Sequence, residues 1–479
     1  MTTTRRPIPW LAVAWLVTAC LLLPVVFAAY HLYLRSLMLD SGLRLGAARP
    51  GVKVYRIVPL YIYWHPRLKT GLLLAAAVVA AFICWLRRSL AANYSDARGS
   101  HYPVGLMVWH VAIAVSIALV DGGPHKLWEP YTVHHRSDYI GAVAEIDSPR
   151  EFLRSYVVRM PELPLHCRSH PPGGPLLLWA VARLVAPGPL AASIATILLS
   201  SLAVPAVYLL ARDVLDEAPA RLAAALFMLA PNVVAYSATC LDAVFMVPFV
   251  WTFYFLWGGR QHRPLAAGAA AGLTASVAAM MTLSASFLAL WIVVLVLLTA
   301  AFDRPRLQNA AITFAAAVVT ATLFFTALHA WSGYDPLAVL QQAFAGQEEA
   351  MQGRGHSSLR QSLHFAVANF VAFVFCSGLP LALLWVRQTG CELMASTASP
   401  VRWLLLSFGL TLFLVDVSPL YTLETERIWI FLVGFLAIGA AKRLAQVASP
   451  LGSSTLVLAA LLLEAGQTML MEVLLDWVW

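Results

Sequence analysis

The chain has 479 residues, of which 60% are hydrophobic and only 12% charged, against about 25% charged in an ordinary soluble domain. A water-soluble protein is excluded: the mean hydropathy is +0.75, and apolar stretches of bilayer length, about 20 residues each, recur to the C-terminus. The net charge of +8 falls largely in short turns between those stretches, where Lys and Arg set orientation, so no nucleic-acid partner is implied.

Candidate spans lie near residues 9–30, 70–87, 103–121, 189–211, 219–239, 242–258, 264–282, 285–301, 309–330, 363–386, 402–419, 428–441 and 453–473. The first follows Arg5 and Arg6 and lacks an A-x-A cleavage site, so it reads as a retained span rather than a signal peptide. With the N-terminus in the cytoplasm, every inner turn is basic: Arg87/Arg88, Arg212/Arg221, Arg260/Arg263, Arg304/Arg306, Arg387/Arg402 and Lys442/Arg443. The reading is an all-α polytopic membrane protein of about 13 transmembrane helices, with long outward segments at 31–69, 121–188 and 331–362. The six cysteines, three of them in apolar stretches (Cys20, Cys84 and Cys376), show no C-x-x-C or Cys/His metal spacing.

Within 121–188, Pro171–Ala186 is apolar but too short to cross, and reads as a helix at the outer surface or dipping partway in. The rest of that loop mixes Trp128, Tyr131, Tyr139, Phe152, Leu153 and Tyr156 with Arg150, Arg154 and Arg159, the pattern of amphipathic helices resting on headgroups.

Polar residues gather at four places. The first holds Asp121, then His134, His135, Arg136, Ser137, Asp138 and Tyr139, then Glu145 and Asp147. It is either a solvated loop or a site where a carboxylate acts as base or holds a divalent cation while His and Arg hold a phosphate. The second is His166-Cys167-Arg168-Ser169-His170-Pro171-Pro172-Gly173, where two prolines fix the backbone and aim Arg168 and His170 at the headgroup plane, or simply start a helix. The third is Asp242 between two apolar helices, a cap or a functional carboxylate. The fourth is Glu424-Thr425-Glu426-Arg427, close after Asp416 and Tyr421: a rim salt bridge of Arg427 with Glu424 or Glu426, or a phosphate-binding Arg427 oriented by Glu. Thr282, Ser284 and Ser286 read as helix-helix glue. The segment 331–362, with Gln341, Gln342, Gln347, Glu348, Glu349, Arg354, His356 and Arg360, reads first as a water-facing helix and second as a contact for the acceptor.

The order of these motifs resembles the GT-C superfamily of membrane glycosyltransferases, in the branch that holds protein O-mannosyltransferases and lipid A aminoarabinose transferases. The resemblance rests on Asp138-Tyr139 in the first large loop, Ser169-His170-Pro171-Pro172-Gly173 before the next apolar helix, Ala211-Arg212-Asp213, Ala230-Pro231-Asn232, Asp242, and Glu426-Arg427 late in the chain. It covers residues 103–300 well and the remainder loosely. It implies a GT-C fold with amphipathic helices in a large external loop, a catalytic transmembrane core at 103–301, an N-terminal extra pair at 1–102 and further helices at 302–479. It further implies inverting transfer of a sugar from a polyprenyl-phosphate-linked donor to a glycan, lipid or protein acceptor outside a cytoplasmic membrane, bacterial by analogy. The implied catalytic carboxylates are Asp138 or Asp121, with Asp242 as a second acid. The implied donor-phosphate set is His170, Arg168, Arg427 and Arg136, supported by His135, Tyr139 and Glu426. A divalent cation, Mg or Mn, is the one cofactor to consider. The acidic pair here is Asp-Tyr where relatives carry Asp-Glu. Two rival readings are a transporter of polyprenyl-linked or small solutes, disfavoured by scarce mid-span charge, and an inactive assembly subunit of an envelope-glycan complex.

Overall fold

Proline sets many of the helix starts: Pro189–Ser200, Pro231–Thr239, Pro264–Met281, Pro336–Met351 and Pro400–Asp416 all begin on one, where its missing N–H has no helical partner to lose. The computed structural model describes residues 9–40, 55–60, 62–67, 69–91, 101–133, 138–351, 359–395, 399–418, 421, 424–448 and 454–477. It is a helical bundle with one small three-stranded antiparallel sheet, in which Ile62–Trp64 pairs with Tyr55–Arg56 on one side and Leu475–Trp477 on the other. The sheet ties the segment after the first helix to the C-terminal end.

Among the described residues, ten helices are long and apolar enough to cross a membrane, or eleven when a bent pair counts as one span. The expected thirteen differ at identifiable places. The run at 219–239 is two helices, Glu217–Leu229 and Pro231–Thr239, bent by 56° because Pro231 cannot continue the hydrogen-bond ladder and Ala230 is extended at ψ 130. Tyr102–Ala118 and Pro400–Asp416, at 17 residues each, fall just short of the usual length. The run at 363–386 is not one helix but Leu359–Cys376 followed by Leu379–Met394, broken where Gly378 takes φ +102. The last long helix supplies what the break leaves unmet: Gln467 Oε1 accepts from the Leu379 amide at 2.7 Å and Glu464 Oε2 from the Leu381 amide at 3.2 Å. A side chain at Gly378 would collide with the Glu464 carboxylate.

The apolar segment after Pro172 is a helix, Gly173–Leu184, of 12 residues, too short to span. It lies tightly on its neighbours, since a Cβ on Gly173 would overlap the Met280 carbonyl and one on Gly174 would stand 2.8 Å from the Tyr139 ring. The loop around it has its own core. Phe152, Leu153 and Tyr156 on the amphipathic helix Pro149–Arg159 are buried with Tyr131, Tyr139, Met160 and Cys167. Helix Pro336–Met351, expected to face water, puts Val339 and Ala343 into that same core and packs on Pro149–Arg159 and Leu165–Arg168.

Helix Asp242–Gly259 orients the site. Its 18 residues rise about 27 Å at 1.5 Å per residue, so Asp242 and the following Arg260 mark opposite ends of the bundle.

Candidate active site

At the Asp242 end, the chain brings together residues from four distant stretches. Leu241 and Asp242 start their helix where Cys240 breaks off the preceding one in extended conformation, φ −145 and ψ 141. Arg427 comes from the short helix Thr425–Ile428, entered through Glu424 at φ +65, a left-handed turn that costs a non-glycine residue energy. That turn aims the Arg427 side chain inward. Nη1 lies 3.2 Å from Asp242 Oδ2, and Nη2 donates to Glu424 Oε2 at 2.6 Å. Arg427 is buried, and burial opposes its charge; Asp242 and Glu424 outweigh that, holding its pKa well above the ordinary guanidinium value. The cluster therefore keeps a permanent cation in a buried setting.

The Asp138 loop approaches the same point. Asp138 caps the 3₁₀ helix Tyr139–Glu145, its Oδ1 accepting from the Tyr139 amide at 2.7 Å, and the same oxygen lies 3.5 Å from His166 Nδ1. Tyr139 is a spacer. Its ring meets His166 at 5.5 Å, His170 at 5.8 Å and Phe245, one turn beyond Asp242, at 5.7 Å between centroids. Burial, then the charges of Asp242 and Asp138, keep the Tyr139 phenol protonated.

His170 is held by its own turn. Nδ1 lies 3.0 Å from the His166 carbonyl, which can only accept, so Nδ1 carries the proton and Nε2 the lone pair. The hydroxyl of Tyr156 reaches the carbonyls of both Cys167 and His170, at 3.0 and 2.9 Å, and pins the loop from below. Burial, the neighbouring His166 and the Arg427 charge bring the His170 pKa down to about 4, with Asp242 opposing. At neutral pH this histidine is an uncharged group offering an acceptor nitrogen, not a cation for a phosphate.

The residues singled out from sequence thus fare unequally. Asp138, Tyr139, His170, Asp242 and Arg427 converge. Arg168 does not join them: its Nε donates to the Leu163 carbonyl at 2.8 Å and its backbone lies against Gly346 of helix Pro336–Met351. The buried backbone carbonyl of Glu426 accepts from Asn232 Nδ2 at 3.0 Å, and Glu424 and Asp242 hold the Arg427 guanidinium. Asp121 ends the 3₁₀ turn Leu119–Asp121 that leads out of helix Tyr102–Ala118. His135 and Arg136 lie outside the described residues. Among the described residues no group of three or more His, Cys, Asp or Glu side chains is placed to hold a metal ion.

His166 and Glu424 stand within the polar motifs of the sequence without a place in the expected catalytic or phosphate sets. Cys240 carries no signal in the sequence, because it matters only through where Arg427 lands. Cys240 is buried, and burial with the Asp242 charge pushes its thiol pKa well up, keeping it an S–H donor.

A helical membrane bundle with an acid, histidine and arginine cluster built by loops over one end has the GT-C fold. The apo oligosaccharyltransferase of Archaeoglobus fulgidus superposes on it with a TM-score of 0.51 at 14% identity, over 79% of this chain and 57% of its own. The chain therefore spans little more than half the length of that protein. In sequence, residues 169–331 match the family model described as dolichyl-phosphate-mannose-protein mannosyltransferase, about a third of the chain and the part that carries His170, Cys240 and Asp242. ArnT from Cupriavidus metallidurans, solved bound to undecaprenyl phosphate, is similar at 15% identity and a TM-score of 0.47, covering 77% of this chain and 76% of that one. No curated protein matches the sequence.

Proposed function

We propose that this protein transfers a sugar, hexosyl or pentosyl, from a polyprenyl-phosphate-linked donor to an acceptor on the extracytoplasmic side of a bacterial cytoplasmic membrane, with inversion at the anomeric carbon. The observation that carries the reading is the buried Arg427–Asp242 pair at the loop-covered end of the bundle, inside a GT-C fold and with Asp242 in the stretch that matches the mannosyltransferase family. In a single displacement the acceptor oxygen or nitrogen bonds to the anomeric carbon as the bond from that carbon to the phosphate oxygen breaks. The polyprenyl phosphate leaves with the electron pair, and the acceptor gives up its proton. Asp242 or Asp138 takes that proton, and Arg427, charged and desolvated, stabilises the charge growing on the phosphate. His170 Nε2 is a second acceptor that can orient a donor hydroxyl. Glu424 occupies one side of the Arg427 fork, so a phosphate engaging Arg427 displaces or shares that contact.

The basic turns support an outward orientation for this end. The experiment is to reconstitute the full chain in liposomes and follow release of polyprenyl phosphate from a panel of hexosyl and pentosyl donors with mixed envelope acceptors. Acceptor-dependent release from one donor class supports the reading; no release from any donor sinks it.

A further inference from the structure

The sulfur of Cys240 touches both partners of the Arg427–Asp242 pair. Cys240 sits two residues before Asp242, its amide tied to the Tyr236 carbonyl at 2.9 Å. From there its S–H donates to Asp242 Oδ2 at 2.8 Å, its sulfur accepts from the Asp242 backbone amide at 3.5 Å, and Arg427 Nη1 approaches that sulfur at 3.8 Å. Asp242 Oδ2 thereby receives the thiol and also faces the guanidinium at 3.2 Å. Both contacts fall on one carboxylate oxygen, and Oδ1 carries neither.

We propose that Cys240 is a positioning residue for sugar transfer, clasping Asp242 and Arg427 in register so that Asp242 Oδ1 is the oxygen presented to the acceptor. The inference rests on the transfer reading above and deepens it. A thiol suits this place for physical reasons. It is a neutral donor, so it adds no charge to a cluster where Arg427 already balances Asp242. Its diffuse sulfur accepts at long range, which lets one atom meet the backbone amide and the guanidinium while giving its only proton to the carboxylate. An alanine at this position leaves Oδ2 with the guanidinium alone and frees the carboxylate to rotate about its Cα–Cβ and Cβ–Cγ bonds. A serine restores a donor to the same oxygen at a shorter bond length. Asp242 is faced by Arg427, Cys240, His170, His166 and Tyr139, so the rotation of its carboxylate decides whether Oδ1 points to the acceptor or to one of these neighbours.

The test uses the full chain in liposomes with the donor identified by the release assay. Cys240→Ala is expected to lower kcat about tenfold with KM for the donor held within about twofold, and Cys240→Ser to recover most of that loss, since a misaligned base costs the transition state rather than binding. Melting temperatures of both variants establish that each is folded. Wild-type kcat in folded Cys240→Ala, or equal slowness in Ala and Ser, overturns the proposal and leaves Cys240 as packing. A second readout needs no turnover. The S–H stretching band of Cys240, found by infrared difference against Cys240→Ala, should move to higher frequency in Asp242→Asn, because an amide oxygen accepts more weakly than a carboxylate; an unmoved band overturns the clasp. A wild-type protein that releases no sugar sinks the transfer reading, and the band then decides the clasp by itself.

Discussion

Charged residues gather at both ends of the bundle, but they are used differently. At the Arg260 end the buried carboxylates are paired with cations. Glu392 takes Lys442 at 2.8 Å and Gln388 at 2.7 Å on one oxygen and Ser399 at 2.8 Å on the other. Asp303 holds both Arg260 and Arg306, at 3.1 and 2.8 Å, and the Arg260 guanidinium lies over the Trp257 ring at 4.4 Å. Arg221 reaches Glu217 at 2.8 Å and the Ser89 carbonyl at 2.6 Å, over Tyr102. Lys442–Glu392, Arg260–Asp303 and Arg221–Ser89 tie one helix or helix end to another, and no histidine pair is involved. At the Asp242 end a single cation serves two carboxylates, one oxygen of Asp242 is left over, and two histidines and a tyrosine stand in the same field. Charge paired away from titratable histidines holds a fold; a carboxylate oxygen left open among titratable neighbours is placed to do chemistry.

That contrast can be broken most severely at Asp242. Asp242→Asn should lower turnover about a thousandfold, within the range of general-base contributions, with little loss of expression; near-normal turnover, with Asp138→Asn inactive, would move the base to the loop. Arg427→Lys keeps the charge but not the fork and should cost about ten- to a hundredfold in transfer, read as release rate at saturating donor. At the other end Lys442→Met should destabilise the protein by about 3–5 kcal/mol, because it strands the buried Glu392, yet leave transfer per folded molecule unchanged; a chemical or thermal melt beside the release assay separates the two. The smallest effect concerns pH. With its folded pKa at about 4, below the ordinary histidine value of about 6.5, His170 is bound to fewer protons folded than unfolded between those limits. Its stabilising contribution is complete above about pH 6.5 and is lost as pH falls toward 4. His170→Gln should therefore flatten the fall in melting temperature across that window.

Much of this arrangement could be read from the chain itself. Alternating basic turns assign each span an inner and an outer end, and that alone puts Asp138, His170, Asp242 and Arg427 on one face, where the structure joins them. Pairing was not readable, because it depends on backbone turns rather than residue type. Glu424 meets Arg427 from a turn in which Glu424 itself adopts φ +65, and Arg168, two residues from His170, turns toward Leu163 instead. The break after Cys376 escaped for a similar reason. A lone glycine in an apolar run says little, and the groups that make the break tolerable, Glu464 and Gln467, lie more than 80 residues further along the chain. His170 looked like a cation by type; its surroundings make it neutral.

The most direct test of the central claim is the anomeric configuration of the product. The wild-type chain, given its polyprenyl-phosphate sugar and acceptor, should yield one equivalent of polyprenyl phosphate per transferred sugar, and nuclear magnetic resonance of the product should show an inverted anomeric centre, with Asp242→Asn giving neither. A product of retained configuration, or polyprenyl phosphate released equally by wild type and Asp242→Asn, would contradict a single displacement at the Arg427–Asp242 end.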